Sequence, residues 1–250
     1  MKKANSYTVH KAKNHKAQYN AANVRLLAAA VAEARKLRRS GEETRPVSIS
    51  EGNVKMGRIK SVSVMPFVTC HACTRKTCAG DCYAARMVLN GPHAGNTRRA
   101  WARNTVMAID EPDTFWMQVK KASAKEEHFR FQVGGDIINE RYLRGMIETA
   151  ESNPGCHYLA FTKRFSIVNQ YCAANGGRDA IPANLQIVFS CWEGLSVDNP
   201  YAFPETDVIM PGTMEDPSWI ICGGNCESCI AAGRGCWDLK AGEKLYFYLH

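Results

Sequence analysis

No run of about 18 consecutive apolar residues occurs in the chain, so a membrane-spanning helix is not expected. The amino terminus also lacks an apolar signal region: Met1-Lys2-Lys3-Ala4-Asn5 leads into a polar stretch. With no secretion signal to read, the expectation is a cytoplasmic protein with no membrane contact. Internal repeats are missing, and low complexity is confined to one alanine-rich stretch. Solenoids and fibrous arrays are thereby excluded. Acids are scarce at the start. Residues 1–45 hold 11 Lys/Arg against 3 Asp/Glu, a net of +8, whereas the other 205 residues hold 21 of each sign. What remains is ordinary for a globular chain with a real core: 250 residues, 45% apolar and 22% charged. Such a length fits one large domain or two small ones.

Within the basic segment, Ala21–Arg39 reads as a helix. It is free of proline and glycine and places Val24, Leu27, Ala28, Val31 and Leu37 near helical spacing. Arg38-Arg39-Ser40-Gly41 supplies cations and a glycine stop at its end. Three roles are open for residues 1–45: a nucleic-acid contact, a solvated basic face packed on a catalytic domain, or a mobile arm. The aromatic interleaving typical of nucleic-acid binders is missing.

Beyond that extension, short apolar runs alternate with helical stretches. Strands are expected at residues 59–67, 128–133, 157–162, 185–190, 207–210 and 244–249. Helices are expected across residues 81–124, broken near Asn90-Gly91-Pro92 and Glu111-Pro112, and at residues 140–152 and 165–174. Asn153-Pro154-Gly155 is a turn. Strands separated by helices predict an α/β fold, a partial (β/α) barrel of about six mainly parallel strands or a flat doubly wound sheet. Either one binds ligands at the carboxyl ends of its strands. Three regions follow: 1–45, the basic extension; 46–212, the barrel; and 213–250, a cysteine-rich segment with a final strand.

Eleven cysteines are many for such a chain, and the odd number precludes complete internal pairing. In a reducing compartment, clustered cysteines more often bind metal. Directly after the first strand stand Cys70, Cys73, Cys78 and Cys82, separated by two, four and three residues. Thiolates are soft ligands suited to zinc or iron–sulfur clusters. Four ligands would close a cluster, whereas three would leave one iron open to a substrate. A loop leaving the top of a strand would put that metal at the barrel mouth.

The strand at residues 128–133 runs into Gly134-Gly135-Asp136. Two glycines allow a sharp turn with exposed carbonyls, and the acid could pair with a cation at the mouth or cap the following helix. Lys163-Arg164 follow the next strand and could meet a carboxylate or phosphate. Ser190-Cys191-Trp192-Glu193 follow the one after, where Ser190 could bond a ribose hydroxyl and Cys191 could face the cavity. Pro211-Gly212 would turn backbone toward a ligand. Cys156, Cys172, Trp101, Trp116 and Trp219 read as core.

Near the carboxyl end come Cys222, Cys226, Cys229 and Cys236, with spacings of three, two and six residues among several glycines. They read as an accessory site of four thiolates, holding either a structural zinc or a second iron–sulfur cluster.

A strand, a cysteine loop ending in Cys82-Tyr83, a helix, and a strand ending in Gly134-Gly135-Asp136 together resemble the radical SAM superfamily. The resemblance implies a 4Fe–4S cluster held by three cysteines. It implies too that the glycine turn contacts the amino group of S-adenosylmethionine. Cys70, Cys78 and Cys82 would be the ligands, with Cys73, Cys78 and Cys82 the rival set; neither has the superfamily's usual three-then-two spacing. More closely, Ser50-Glu51-Gly52-Asn53-Val54-Lys55-Met56-Gly57, Cys82-Tyr83-Ala84, Gly134-Gly135-Asp136 and Phe161-Thr162-Lys163-Arg164 resemble a phage-associated group, the gene product 88 family, over roughly residues 47–240. The expectation is an iron–sulfur enzyme of radical SAM type. It would need an electron donor and would act on a peptide, nucleobase or small metabolite. The alternative is a zinc-stabilised protein that binds nucleic acid or another protein without catalysis.

Overall fold

A computed structural model describes residues 19–70, 78–210, 213–214, 216–233 and 235–249. Cys73, Pro211-Gly212 and the first 18 residues lie outside the described residues.

The chain opens with α1 (Ala21–Arg39), capped by Asn20, whose side chain accepts a hydrogen bond from the Asn23 N–H at 2.9 Å. Two short strands follow, β1 (Ile49–Ser50) and β2 (Lys60–Val62). The long helical stretch divides where proline and glycine predict, into α2 (Tyr83–Leu89), α3 (Ala94–Asp110) and α4 (Pro112–Ser123). Pro112 sits in the first turn of α4, where its missing N–H costs nothing. Thereafter strands and helices alternate: β3 (His128–Phe131), α5 (Glu140–Ser152), β4 (His157–Thr162), α6 (Phe165–Ala174), β5 (Leu185–Ser190) and β6 (Glu205–Ile209). The end of the chain adds β7 (Ile220–Ile221), α7 (Cys226–Ala231) and β8 (Lys244–Tyr248).

All eight strands join one sheet in the order β1-β2-β3-β4-β5-β6-β8-β7. Every neighbouring pair is parallel except β1 with β2. The architecture is mixed α/β with a mostly parallel sheet, and six of its strands are those the alternation predicts. Strand β2 is shorter than expected. After Val62 the backbone leaves the ladder: the Val64 N–H donates to the Gly134 carbonyl at 3.0 Å and the Met65 N–H to Thr105 Oγ1 at 2.8 Å.

Strand alternation sorts the side chains onto two faces. On the helix side, Phe129, Phe131, Tyr158, Ala160, Ile187 and Phe189 form the main core with α4, α5 and α6. Phe131 stacks on Tyr158 with centroids 5.1 Å apart. Trp101, Trp116, Cys156 and Cys172 are buried as expected. Trp219 is not core; it is partly exposed and stacks on Tyr246 at 4.3 Å.

Helix α1 buries Leu27, Val31 and Ala34 against α2 and α3. Two of the cations toward its end are paired within the molecule. Arg35 pairs with Asp110 and Arg38 with Glu111, each at 2.6 Å. Just beyond, Glu43 (7% exposed) meets Arg45 and the equally buried Arg103. The Arg45 hydrogen bond, followed by the charges around it, holds the Glu43 carboxyl down to about 2 from its ordinary 4.5. Removing one partner of a buried pair leaves the other charge uncompensated. Glu43→Gln is therefore expected to cost about 3 kcal/mol. Because the folded value lies below the unfolded one, the Glu43 contribution is complete above about pH 4.5 and disappears as pH falls toward 2. Urea unfolding across that range should show wild-type stability falling steeply and the variant's less so.

No helix among the described residues is long and apolar enough to cross a membrane.

Candidate functional site

Seven parallel strands point their carboxyl ends to one side of the sheet, where loops from different strands converge. A cavity of about 530 Å³ opens there. Its wall includes Cys70, Cys78 and Cys82 from the first cysteine loop, and Gly134, Gly135 and Asp136 from the loop after β3. Lys163, Ser190, Cys222, Cys226 and Cys236 complete that wall, so nearly all the predicted site residues meet in one place.

The first cysteine loop is anchored at its end by α2. Cys82 is the N-cap of that helix, and its Sγ accepts a hydrogen bond from the Ala85 N–H at 3.4 Å. Burial pushes the Cys82 thiol up to about 12, and the neighbouring Cys70 and Cys78 add to the rise. A thiol so placed stays protonated until a cation takes the proton's place. Next to it, the Tyr83 hydroxyl donates to the Val133 carbonyl, tying the loop to the end of β3. The described cysteines are free of disulfides. Among the described residues no three His, Cys, Asp or Glu side chains close round a single ion. A four-iron cluster makes a different demand, since each iron takes its own thiolate.

The glycines after β3 answer to packing. A Cβ on Gly134 would lie 2.2 Å from the Trp101 ring. Gly135 has φ +81°, and its Cβ would lie 2.5 Å from Val64 Cγ2 and 2.7 Å from Thr69 Oγ1. Asp136 is 7% exposed and already well partnered. Its Oδ1 accepts from Thr162 Oγ1 at 2.6 Å and the Ile137 N–H at 2.7 Å, and its Oδ2 from the Lys163 N–H at 3.0 Å. Burial raises its pKa against the lowering effect of these bonds. The carboxylate thus clamps the β3 loop to the end of β4, with one of about four lone-pair positions left over. Lys163 and Ser190, read from separate strands, meet directly: Nζ donates to Oγ at 2.7 Å.

The second cysteine set is no remote accessory. Helix α7 is capped by Asn225, whose side chain accepts from the Ser228 N–H at 2.9 Å. The Asn225 amide also donates to the Val54 carbonyl at 3.1 Å, and the Cys226 N–H to the Lys55 carbonyl at 2.8 Å. These bonds dock α7 onto the loop between β1 and β2. Cys222, Cys236 and Trp237 pack against Leu159, Val188 and Leu245 on the cavity face of the sheet. Burial pushes the Cys236 thiol up to about 12, with Cys222, Cys226 and Cys229 all close enough to influence it.

Cys191 turns away. Its buried thiol lies 3.5 Å from Glu205 Oε2, beside a separate cleft. Sequence reasoning missed Arg130 and Phe247, which both line the cavity at the carboxyl ends of the strands. The signal available for Arg130 was a lone charge inside the apolar strand His128-Phe129-Arg130-Phe131.

Against known families, the profile described as gene product 88 matches residues 11–221. That span includes the first cysteine loop and the glycine turn and ends just before Cys222. No curated protein and no solved structure matches the chain.

Proposed function

We propose, from the premise that this chain belongs to the phage gene product 88 family, that it is an iron–sulfur protein on a radical SAM-like partial barrel. In this reading it binds S-adenosylmethionine beside a 4Fe–4S cluster and does radical chemistry on a substrate held in the same cavity. The observation that carries the reading is the meeting of Cys70, Cys78 and Cys82 with the Gly134–Asp136 loop at the carboxyl ends of parallel strands.

The donor set fits such a cluster. Three soft thiols share one wall, and the N–H at the start of α2 already points at one of the sulfurs. When bound, the cluster would supply the single electron that cleaves a sulfonium C–S bond. The chain's own part is positioning. Asp136 holds the glycine loop against β4, and the Lys163–Ser190 pair offers polar groups for a ribose or carboxylate. Apolar walls around Phe161 and Phe247 would keep water from a reactive species. Cys222, Cys226, Cys229 and Cys236 would hold a second cluster, near enough to pass electrons or to grip a substrate.

Metal analysis and electron paramagnetic resonance on anaerobically purified protein test the proposal. Brown protein with about four irons per cluster, and a spectrum that changes on adding S-adenosylmethionine, is the expected result. Colourless protein carrying only zinc would overturn it and favour a binding protein stabilised by two zinc sites.

A further inference from the structure

We propose that Arg130 anchors a carboxylate-binding subsite on the floor of the cavity, and that the substrate is an organic acid with an apolar body. The inference rests on the cavity being the working site, as proposed above.

Alternation along β3 sends Phe129 and Phe131 into the core and leaves Arg130 on the opposite face, lining the cavity. There Arg130 is only 9% exposed. Its Nε is buried without a hydrogen-bond partner among the described residues. No described carboxylate pairs with its guanidinium, which lies over the Phe161 ring with 4.7 Å to the centroid. Cys226 and Cys236 are its electrostatic neighbours, but neither makes a hydrogen bond to it among the described residues, and a buried guanidinium with its fork unpaired is strongly unfavourable. The neighbouring acid cannot serve: Asp136 is occupied by Thr162, Ile137 and Lys163. Two lysines share the cavity wall: Lys163 is engaged with Ser190, and Lys55 lies over the Phe247 ring with 5.0 Å to the centroid.

An anion from outside the chain would complete this arrangement. The guanidinium offers a planar fork, which matches a planar carboxylate through two parallel hydrogen bonds. Stacking on Phe161 pins the fork in advance and lowers the ordering cost of binding. Leu159, Phe161 and Phe247 make the adjoining wall apolar, so the body of the ligand is expected to be hydrocarbon or aromatic. A phosphate ester, with a tetrahedral head and a second negative charge, would gain most from several converging cations, and the two lysines on this wall are held elsewhere, Lys163 by Ser190 and Lys55 over Phe247.

Calorimetric titration of the anaerobic full-length protein tests the idea with phenylacetate, its uncharged amide phenylacetamide, and phenyl phosphate. Phenylacetate is expected to bind at least tenfold more tightly than either of the others. In Arg130→Met that binding should weaken at least tenfold, while the melting temperature holds or rises because an unpaired charge has been removed. Arg130→Lys, which keeps the charge and loses the fork, should fall between the two. Iron content is measured on each protein, so failure of the cluster reading registers separately from failure of this one. Absence of phenylacetate binding, or equal binding by Arg130→Met, would overturn the subsite. Loss of iron in Arg130→Met would instead make Arg130 the counter-charge of the thiolates at Cys226 and Cys236. Displacement of phenylacetate by S-adenosylmethionine would assign the subsite to the cofactor's own carboxylate, and the substrate assignment would fall.

Discussion

The Cys82→Ser protein is expected to emerge from anaerobic purification lacking one cluster's iron, about four atoms per chain, with correspondingly weaker visible absorption. The expectation separates chemistry from folding. Cys82 caps α2 by accepting the Ala85 N–H, and serine is among the preferred residues at that position. The helix should therefore survive, and circular dichroism should show wild-type secondary structure. What the substitution removes is a soft ligand, because a hydroxyl replaces a thiolate poorly on iron. Unchanged iron in Cys82→Ser would rule this residue out as a ligand. It would shift attention to the set at Cys222, Cys226, Cys229 and Cys236.

Gly135→Ala should produce a large loss of stability for a single added methyl. Two costs combine at this residue. Its φ of +81° is a conformation that alanine adopts only under strain. The new Cβ would also stand 2.5 Å from Val64 Cγ2 and 2.8 Å from the Val64 carbonyl oxygen, and backbone yields little. Together they amount to about 3 kcal/mol. For a chain of this size that corresponds to a melting point lower by roughly 10 °C. Gly155→Ala is the control: its Cβ meets nothing within 4 Å and its φ is not positive, so its effect should stay within about 0.5 kcal/mol. Equal melting points for the two variants would show that the β3 loop is not packed as described.

The position of Gly135 also shows how a sequence signal can be right in place and incomplete in cause. Two glycines and an acid after a strand drew attention to a turn facing a ligand. The turn does line the cavity. Its glycines, however, are demanded by Trp101, Val64 and Thr69, none of them near it in the chain. Asp136, expected to face a cation or cap a helix, lines the cavity and also secures the loop to Thr162 and Lys163. Residue type reported where backbone comes close. Which atoms come close depended on the neighbouring strands.

The elements divide along the same line. Helices α5 and α6 and strands β4 and β5 lie where periodicity and turn residues put them, because local signals such as the Asn139 cap and the Asn153-Pro154-Gly155 turn act within a few residues. Strands β1 and β7 are two residues long and carry no period to detect. Strand β2 stops early because Val64 and Met65 find partners on Gly134 and Thr105.

Local sequence determined the clustering of the cysteines, the alternation of strands with helices, and the basic character of α1, since each depends on residue type and short-range spacing. Tertiary structure decided that cysteines more than a hundred residues apart share one cavity wall. It decided also that Arg35 and Arg38 near the end of α1 are partnered by Asp110 and Glu111, and that Arg130 is buried against Phe161 with its Nε unpaired. The physical reason is register. Which face of a strand looks into a cavity, and what stands opposite, follows from how neighbouring strands align, and no single strand carries that information.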